Sequence, residues 1–265
     1  MSMPEAALLH HIAAGDPSRS TVVLLHGFMG SSADWKSVIQ HLASSYHCLA
    51  VDLPGHGASS VWPASRFTMA ATAEALVDVL YAHHIDSCSL VGYSMGGRLA
   101  LYFALRYPHR CGKLLLESTS PGLKTAHERA ARRKVDEQRA VCLETEDFDE
   151  FVRDWYAQAL FSSLAQHEGL AERMIAARQR NDPRALAQSL RGMGTGQQSS
   201  LWERLAALQV PTLAVAGALD AKYVDIARQM KAASDQIQMA IVPEAGHNVH
   251  AEQPASFLDL LIRFL

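Results

Sequence analysis

Cysteine is scarce in this chain of 265 residues, and the four present, Cys48, Cys88, Cys111 and Cys142, form no C-x-x-C pair and fall in no zinc-like spacing. They are expected as reduced thiols, which excludes a disulfide scaffold and a zinc ribbon. No apolar run approaches the roughly 18 residues of a membrane span, and Met1 to Asp16 shows no basic lead before an apolar core. A soluble, cytoplasmic chain with no membrane partner is the expectation. Excess charge is missing too: 24 basic and 27 acidic residues leave a formal net charge of −3. That balance gives no field to hold a nucleic-acid backbone, so any anion has to be recognised locally. Hydrophobic residues, at 49%, supply a buried core and exclude a disordered chain. At this length one large α/β core with an insertion is expected.

Apolar, β-branched runs at Thr21 to Leu25, His47 to Val51, Ser87 to Val91, Lys113 to Leu116, Pro211 to Ala216 and Ile237 to Val242 read as buried strands. Helical periodicity fills Ser32 to Ala43, Thr68 to His83, Met95 to Tyr107 and Pro254 to Leu265. Alternation of the two implies a mostly parallel central sheet flanked by helices. From Ser118 to Leu208 the rhythm changes to helices alone, with patterns at Arg129 to Cys142, Phe148 to Leu160 and Gly169 to Asn181. Residues 118–208 are therefore expected to form a helical cap, inserted between core segments 1–117 and 209–265. Most of the arginines lie in that insertion, balanced by acids, and solvated helix faces account for the bulk of them. Gly192 to Gly196 reads as the turn connecting cap to core.

The strongest chemical signal is Val91-Gly92-Tyr93-Ser94-Met95-Gly96-Gly97, a strand running through G-x-S-x-G into a helix. A serine on so tight a turn is held in a strained backbone, with small neighbours that let its hydroxyl project above the sheet. No G-K-[ST] follows, so a phosphate loop is disfavoured. Upstream, His26-Gly27-Phe28 ends the first buried strand. Backbone N–H groups at Phe28 and Met95 can converge as an oxyanion hole, while His26 reads as a structural pin for the loop.

A serine hydroxyl needs a base, and a histidine held by a carboxylate should follow in the order Ser, Asp, His. Asp220 lies just past the strand Pro211 to Ala216, where open α/β sheets build their sites. Asp225 is the rival acid, one turn into the following helix. His247, beside Gly246, follows the last strand and completes the candidate set.

Together His26-Gly27-Phe28, Asp52-Leu53-Pro54-Gly55-His56-Gly57, Gly92 to Gly97, Gly217 to Asp220 and Gly246-His247 resemble the α/β-hydrolase fold family over essentially the whole chain. In that family the Asp52 to Gly57 loop is a structural turn. The resemblance implies a nucleophile-type Ser94 with His247 and Asp220, but the fold serves esterases, C–C hydrolases, lyases and other chemistries. Arg98 is a distinguishing letter, one helical turn beyond Ser94; a salt bridge to the cap is the competing explanation for it.

Tyr93 to Arg98, Ala131-Arg132-Arg133, Asp154-Trp155-Tyr156, Ala176-Ala177-Arg178, Ser189 to Gly196, Leu219 to Tyr223 and Gly246 to Pro254 are similar to the 2-succinyl-6-hydroxy-2,4-cyclohexadiene-1-carboxylate synthases of menaquinone biosynthesis. Such enzymes eliminate pyruvate from a cyclohexene bearing three carboxylates. The resemblance implies Tyr93, Arg98, Arg132, Trp155, Arg178 and Lys222 as substrate-binding residues, with Arg133 an alternative to Arg132 and a core role an alternative for Trp155. Cations of this kind suit a polycarboxylate, because guanidinium matches carboxylate with two prongs. The implied reaction is proton abstraction by Ser94 and His247, with the enolate held by the N–H groups of Phe28 and Met95. A small-molecule polycarboxylate is the only expected partner; no metal, cofactor or nucleic acid is implied, and the pattern fixes no oligomeric state. A carboxylesterase or C–C bond hydrolase is the competing enzyme reading, and a non-catalytic binding protein would be marked by a missing triad member.

Overall fold

The computed structural model describes residues 8–265; the first seven residues, part of the stretch inspected for a leader, lie outside it. Seven strands form one sheet among the described residues, in the order β1-β3-β2-β4-β5-β6-β7. These are β1 (His11–Ala14), β2 (Thr21–Leu25), β3 (His47–Val51), β4 (Cys88–Tyr93), β5 (Cys111–Glu117), β6 (Thr212–Gly217) and β7 (Ile237–Val242). All neighbouring pairs are parallel except β1 with β3. The short strand β1 is the one absent from the sequence reading. It sits at the edge, partly exposed, and lacks the apolar run that marks the buried strands.

Side chains alternate across the pleat, so each central strand feeds two cores. Val23, Leu25, Leu49, Leu90, Leu114 and Leu116 pack on one face against α2 (Met69–Ala82), α3 (Met95–Arg106) and α8 (Ala221–Ala233). Val22, Leu24, Ala50, Val91, Leu115 and Val215 face the other way, toward α1 (Lys36–Leu42) and α10 (Pro254–Phe264). Burial on both faces explains why these strands read as unbroken apolar runs.

Between β5 and β6 the chain makes α4 (Ala126–Thr145), α5 (Phe148–Ala157), α6 (Leu170–Arg178) and α7 (Pro183–Met193). They enclose an apolar cluster of their own, including Leu143, Val152, Leu186 and Leu190, which touches the rest of the molecule through Phe28 and Met29. Helix α7 is missing from the sequence reading, although Asp182 caps it through the Arg184 N–H and Pro183 occupies its first turn. Gly192 therefore belongs to the end of α7, and the turn assigned to 192–196 begins at Gly194. The short α9 (Val249–Glu252) precedes α10. Among the described residues no helix is long and apolar enough to cross a membrane. All four cysteines are free thiols.

Candidate active site

Strand order reverses around β2, with β3 on one side and β4 on the other, and the loops after the parallel strands meet above the sheet at their carboxyl ends. At the end of β4 the chain turns straight into α3. Ser94 takes φ 50° and ψ −105° there, a region that costs a non-glycine residue on the order of 1–3 kcal/mol. Its surroundings hold that conformation: the Ser94 N–H donates to the Glu117 carbonyl at 2.9 Å, and its own carbonyl accepts from the Arg98 N–H at 3.0 Å. The flanking glycines are steric necessities. A Cβ on Gly92 would stand 2.6 Å from the Gly96 oxygen and the Gly97 Cα, and one on Gly96 would collide with the Leu25 carbonyl.

The Ser94 hydroxyl lies 3.1 Å from His247 Nε2, and His247 Nδ1 lies 2.8 Å from Asp220 Oδ2. With the Nδ1 N–H donating to the Asp220 carboxylate, Nε2 is left as the acceptor for the serine. Asp220 is anchored as the N-cap of α8, where Oδ1 accepts from the Tyr223 N–H at 3.3 Å. His247 is anchored through its neighbours. The buried Glu252 carboxylate accepts from the N–H groups of Gly246 at 2.8 Å and Asn248 at 3.0 Å, the residues on either side. Tyr93, Phe161 and Tyr223 pack around the imidazole, with ring centroids 4.6–5.9 Å away. The rival Asp225 is exposed on α8 and pairs with Arg228.

His26 is held as a pin: its Nδ1 meets the Gly27 carbonyl at 2.7 Å and its Nε2 accepts from the Leu53 N–H at 3.0 Å. Burial depresses its pKa, consistent with a neutral ring. The Asp52 to Gly57 loop is likewise structural, since the Asp52 carboxylate accepts from Ser32 and Ala58 N–H groups at 2.6 and 3.0 Å. Phe28 and Met95 both line the cavity beside Ser94, and neither backbone N–H donates to a protein acceptor among the described residues.

That cavity measures about 550 Å³, within the usual range for small-molecule sites. Every site residue singled out from the sequence lines it: Ser94, Asp220 and His247 at the floor, together with Phe28, Tyr93, Met95, Arg98, Arg132, Trp155, Arg178 and Lys222. Arg133 does not. Its guanidinium donates to the Gly196 carbonyl at 3.0 Å, which decides the one-residue ambiguity for Arg132. Trp155 is a wall of the cavity as well as a flank of the inserted cluster.

The cations differ in what they already hold. Arg98 is 8% exposed, and among the described residues its guanidinium bonds only the neutral Gln198 amide, at 2.8 Å, with no carboxylate in salt-bridge range. Burial, only partly offset by the more distant Asp136, brings its pKa down to about 10, still charged at neutral pH. Arg132 instead donates to Asp136 at 2.7 Å, and Arg178 donates to Asp34 at 2.6 Å and to the Tyr156 hydroxyl at 3.1 Å. Asp34 raises the Arg178 pKa and Arg178 lowers that of Asp34, each stabilising the charged form of the other against burial. Asp34 and Glu252 carry no motif that would reveal such a role. Arg139, which the sequence reading passed over, also lines the cavity, and its signal was available: positions 132, 136 and 139 share one face of α4. Tyr223 and Gln158 are among the further lining residues not singled out as site residues, with Tyr156 and Phe161. Among the described residues no group of three or more His, Cys, Asp or Glu side chains is arranged to hold a metal ion.

Comparison with known proteins gives concordant results. The model of the α/β hydrolase fold family matches residues 20–254. A 2-succinyl-6-hydroxy-2,4-cyclohexadiene-1-carboxylate synthase from Salmonella paratyphi C (strain RKS4594) is 35% identical over 252 residues, spanning 95% of this chain and 96% of the relative. A Bacillus subtilis (strain 168) protein provisionally given that name is 38% identical over 253 residues, 95% of this chain and 92% of its own length. The solved structure of MenH from S. aureus superimposes with a TM-score of 0.92 at 33% identity, covering 97% of both chains.

Proposed function

This chain belongs to the α/β-hydrolase fold family and, within it, to the 2-succinyl-6-hydroxy-2,4-cyclohexadiene-1-carboxylate synthases, and from that premise we propose how its residues carry out the reaction. The enzyme is a carbon–oxygen lyase of menaquinone biosynthesis. It eliminates pyruvate from 2-succinyl-5-enolpyruvyl-6-hydroxy-3-cyclohexene-1-carboxylate. His247, oriented by Asp220, takes the proton of Ser94, and the Ser94 oxygen removes the ring proton beside the succinyl ketone. The electrons of that C–H bond first load the ketone oxygen as an enolate, which the N–H groups of Phe28 and Met95 stabilise, by a few kcal/mol for each well-aimed donor. Collapse of the enolate completes the ring diene and breaks the C–O bond to the enolpyruvyl group. The departing enolate takes up a proton and leaves as pyruvate, and Ser94 and His247 return to their starting states.

Residues 118–208 act as a cap that selects the substrate, with Tyr93, Arg98, Arg132, Trp155, Arg178 and Lys222 as its contacts. The enzyme works in the cytoplasm. One observation carries the choice of a lyase acting on an anion over an esterase for neutral substrates: Arg98 lies buried one turn from Ser94 with no acidic partner among the described residues. A buried cation of this kind is stabilised when a carboxylate arrives.

The test is to incubate the purified protein with the enolpyruvyl cyclohexene and follow pyruvate. Release is expected. In Arg98→Ala the KM for this trianion should rise by about 100-fold, roughly 2.7 kcal/mol, while hydrolysis of a neutral nitrophenyl ester changes little. Rapid ester turnover with no pyruvate would replace the lyase by a hydrolase.

A further inference from the structure

Five cationic side chains line the cavity among the described residues: Arg98, Arg132, Arg139, Arg178 and Lys222. Two of them are neutralised inside the protein, Arg132 by Asp136 and Arg178 by Asp34. The other three have no carboxylate within 4.0 Å. Arg139 is the member of that trio with a built setting. Its Nη2 donates to Gln158 Oε1 at 3.0 Å, and its guanidinium carbon lies 5.0 Å from the centre of the Trp155 ring. The Gln158 amide is itself fixed, because its Nε2 donates to the Trp155 carbonyl at 2.9 Å. A half-buried guanidinium is thus held over an indole by a preset amide, with four of its five N–H groups left for a ligand. Partial burial already disfavours its charge, so an arriving carboxylate gains more here than at an open surface.

We infer that Arg139, presented by Trp155 and Gln158, is a specificity-determining residue that binds one carboxylate of the substrate, joining the contacts named above from a position with no carboxylate of its own among the described residues. Arg178, besides lining the cavity, ties the inserted helices to the core through Asp34. This inference rests on the reaction proposed above.

The test compares wild type, Arg139→Gln and Arg139→Lys by pyruvate release from the tricarboxylate substrate and from its three monomethyl esters. For Arg139→Gln, KM for the tricarboxylate should rise by about tenfold with kcat within about threefold, the size expected for one partly exposed carboxylate contact. Arg139→Lys should recover part of that loss, since it keeps the charge and gives up the fork. For one of the three esters the KM difference between wild type and Arg139→Gln should vanish, because the charge that Arg139 meets is gone. An unchanged KM in Arg139→Gln overturns the inference, as does an equal rise for the acid and all three esters, which marks a packing role. Should wild type release no pyruvate, the failure lies with the reaction. Calorimetric titration of the same proteins with the tricarboxylate then still decides Arg139: about tenfold weaker binding in Arg139→Gln supports it, and equal binding overturns it.

Discussion

Ser94, Asp220 and His247 follow strands β4, β6 and β7, on loops tied to each other by main-chain bonds such as Leu219 N–H to the Ala245 carbonyl at 2.9 Å. Arg132, Arg139 and Arg178 stand instead on the inserted helices, whose apolar cluster is separate and whose outer faces are wet. Among the bonds that join the two regions is the buried Arg178–Asp34 pair, which links positions 144 apart in sequence. Rigid strand ends suit a relay whose protons move along bonds of about 3 Å, whereas selection of a charged guest tolerates longer side chains and needs their charge more than their exact placement. On the proposed assignment the inserted helices take part in selection alone, whereas the sheet side holds the reacting groups together with Arg98 and Lys222, so substitutions on the two sides should fail differently.

The largest expected effect lies on the sheet side. Ser94→Ala should lower kcat for pyruvate release by about 10⁴-fold, leaving substrate affinity and melting temperature near those of wild type. Retained turnover would show that His247 reaches the ring proton without the serine. The junction comes next. Asp34→Asn strands the buried Arg178 guanidinium, and urea unfolding should record a loss of about 3 kcal/mol. Removing Glu137, an exposed partner of Arg191 within the insertion, should change little by comparison. Equal effects would mean that the insertion does not rely on that pair for docking.

Within one pH unit of neutrality, the smallest effect belongs to the loop beneath Phe28. Burial pushes the His56 pKa down from the ordinary histidine value to about 3, and the neighbouring His26 shifts in the same direction. Between about pH 3 and 6.5 the unfolded chain therefore binds more protons at this site than the folded one. Stability contributed by neutral His56 is present above the unfolded pKa and falls as pH drops, by up to about 1.4 kcal/mol per unit. The melting temperature should decline on acidification below pH 6.5, with a shallower slope in His56→Gln. Identical slopes would assign the acid sensitivity to other groups.

The same division governs what could be read from the sequence. Strands β2 to β7 were legible because burial on both faces writes unbroken apolar runs, and Ser94, Asp220 and His247 were legible because each follows such a run beside glycine or within a short loop. Edge strand β1, four residues with two exposed, writes no such pattern. Helix α7 was missed even though Asp182-Pro183 is a start signal, since the glycines after it suggested a turn. Partners distant in sequence were beyond reach: nothing near Arg178 points to Asp34, nothing near Arg98 points to Gln198, and Glu252 acts on its neighbours through a turn that only the fold reveals. The resemblance supplied Arg98, Arg132 and Arg178 as a class, and the coordinates then separated them by the company each keeps.

Glu252 has one more implication. Because its two oxygens grip the peptide groups before and after His247, the main chain that carries the imidazole is moored to the C-terminal helices, while Phe161 of the inserted segment packs on the ring itself. New guests could be recruited by rewriting the inserted arginines, with that mooring inherited intact so long as Phe161 is kept.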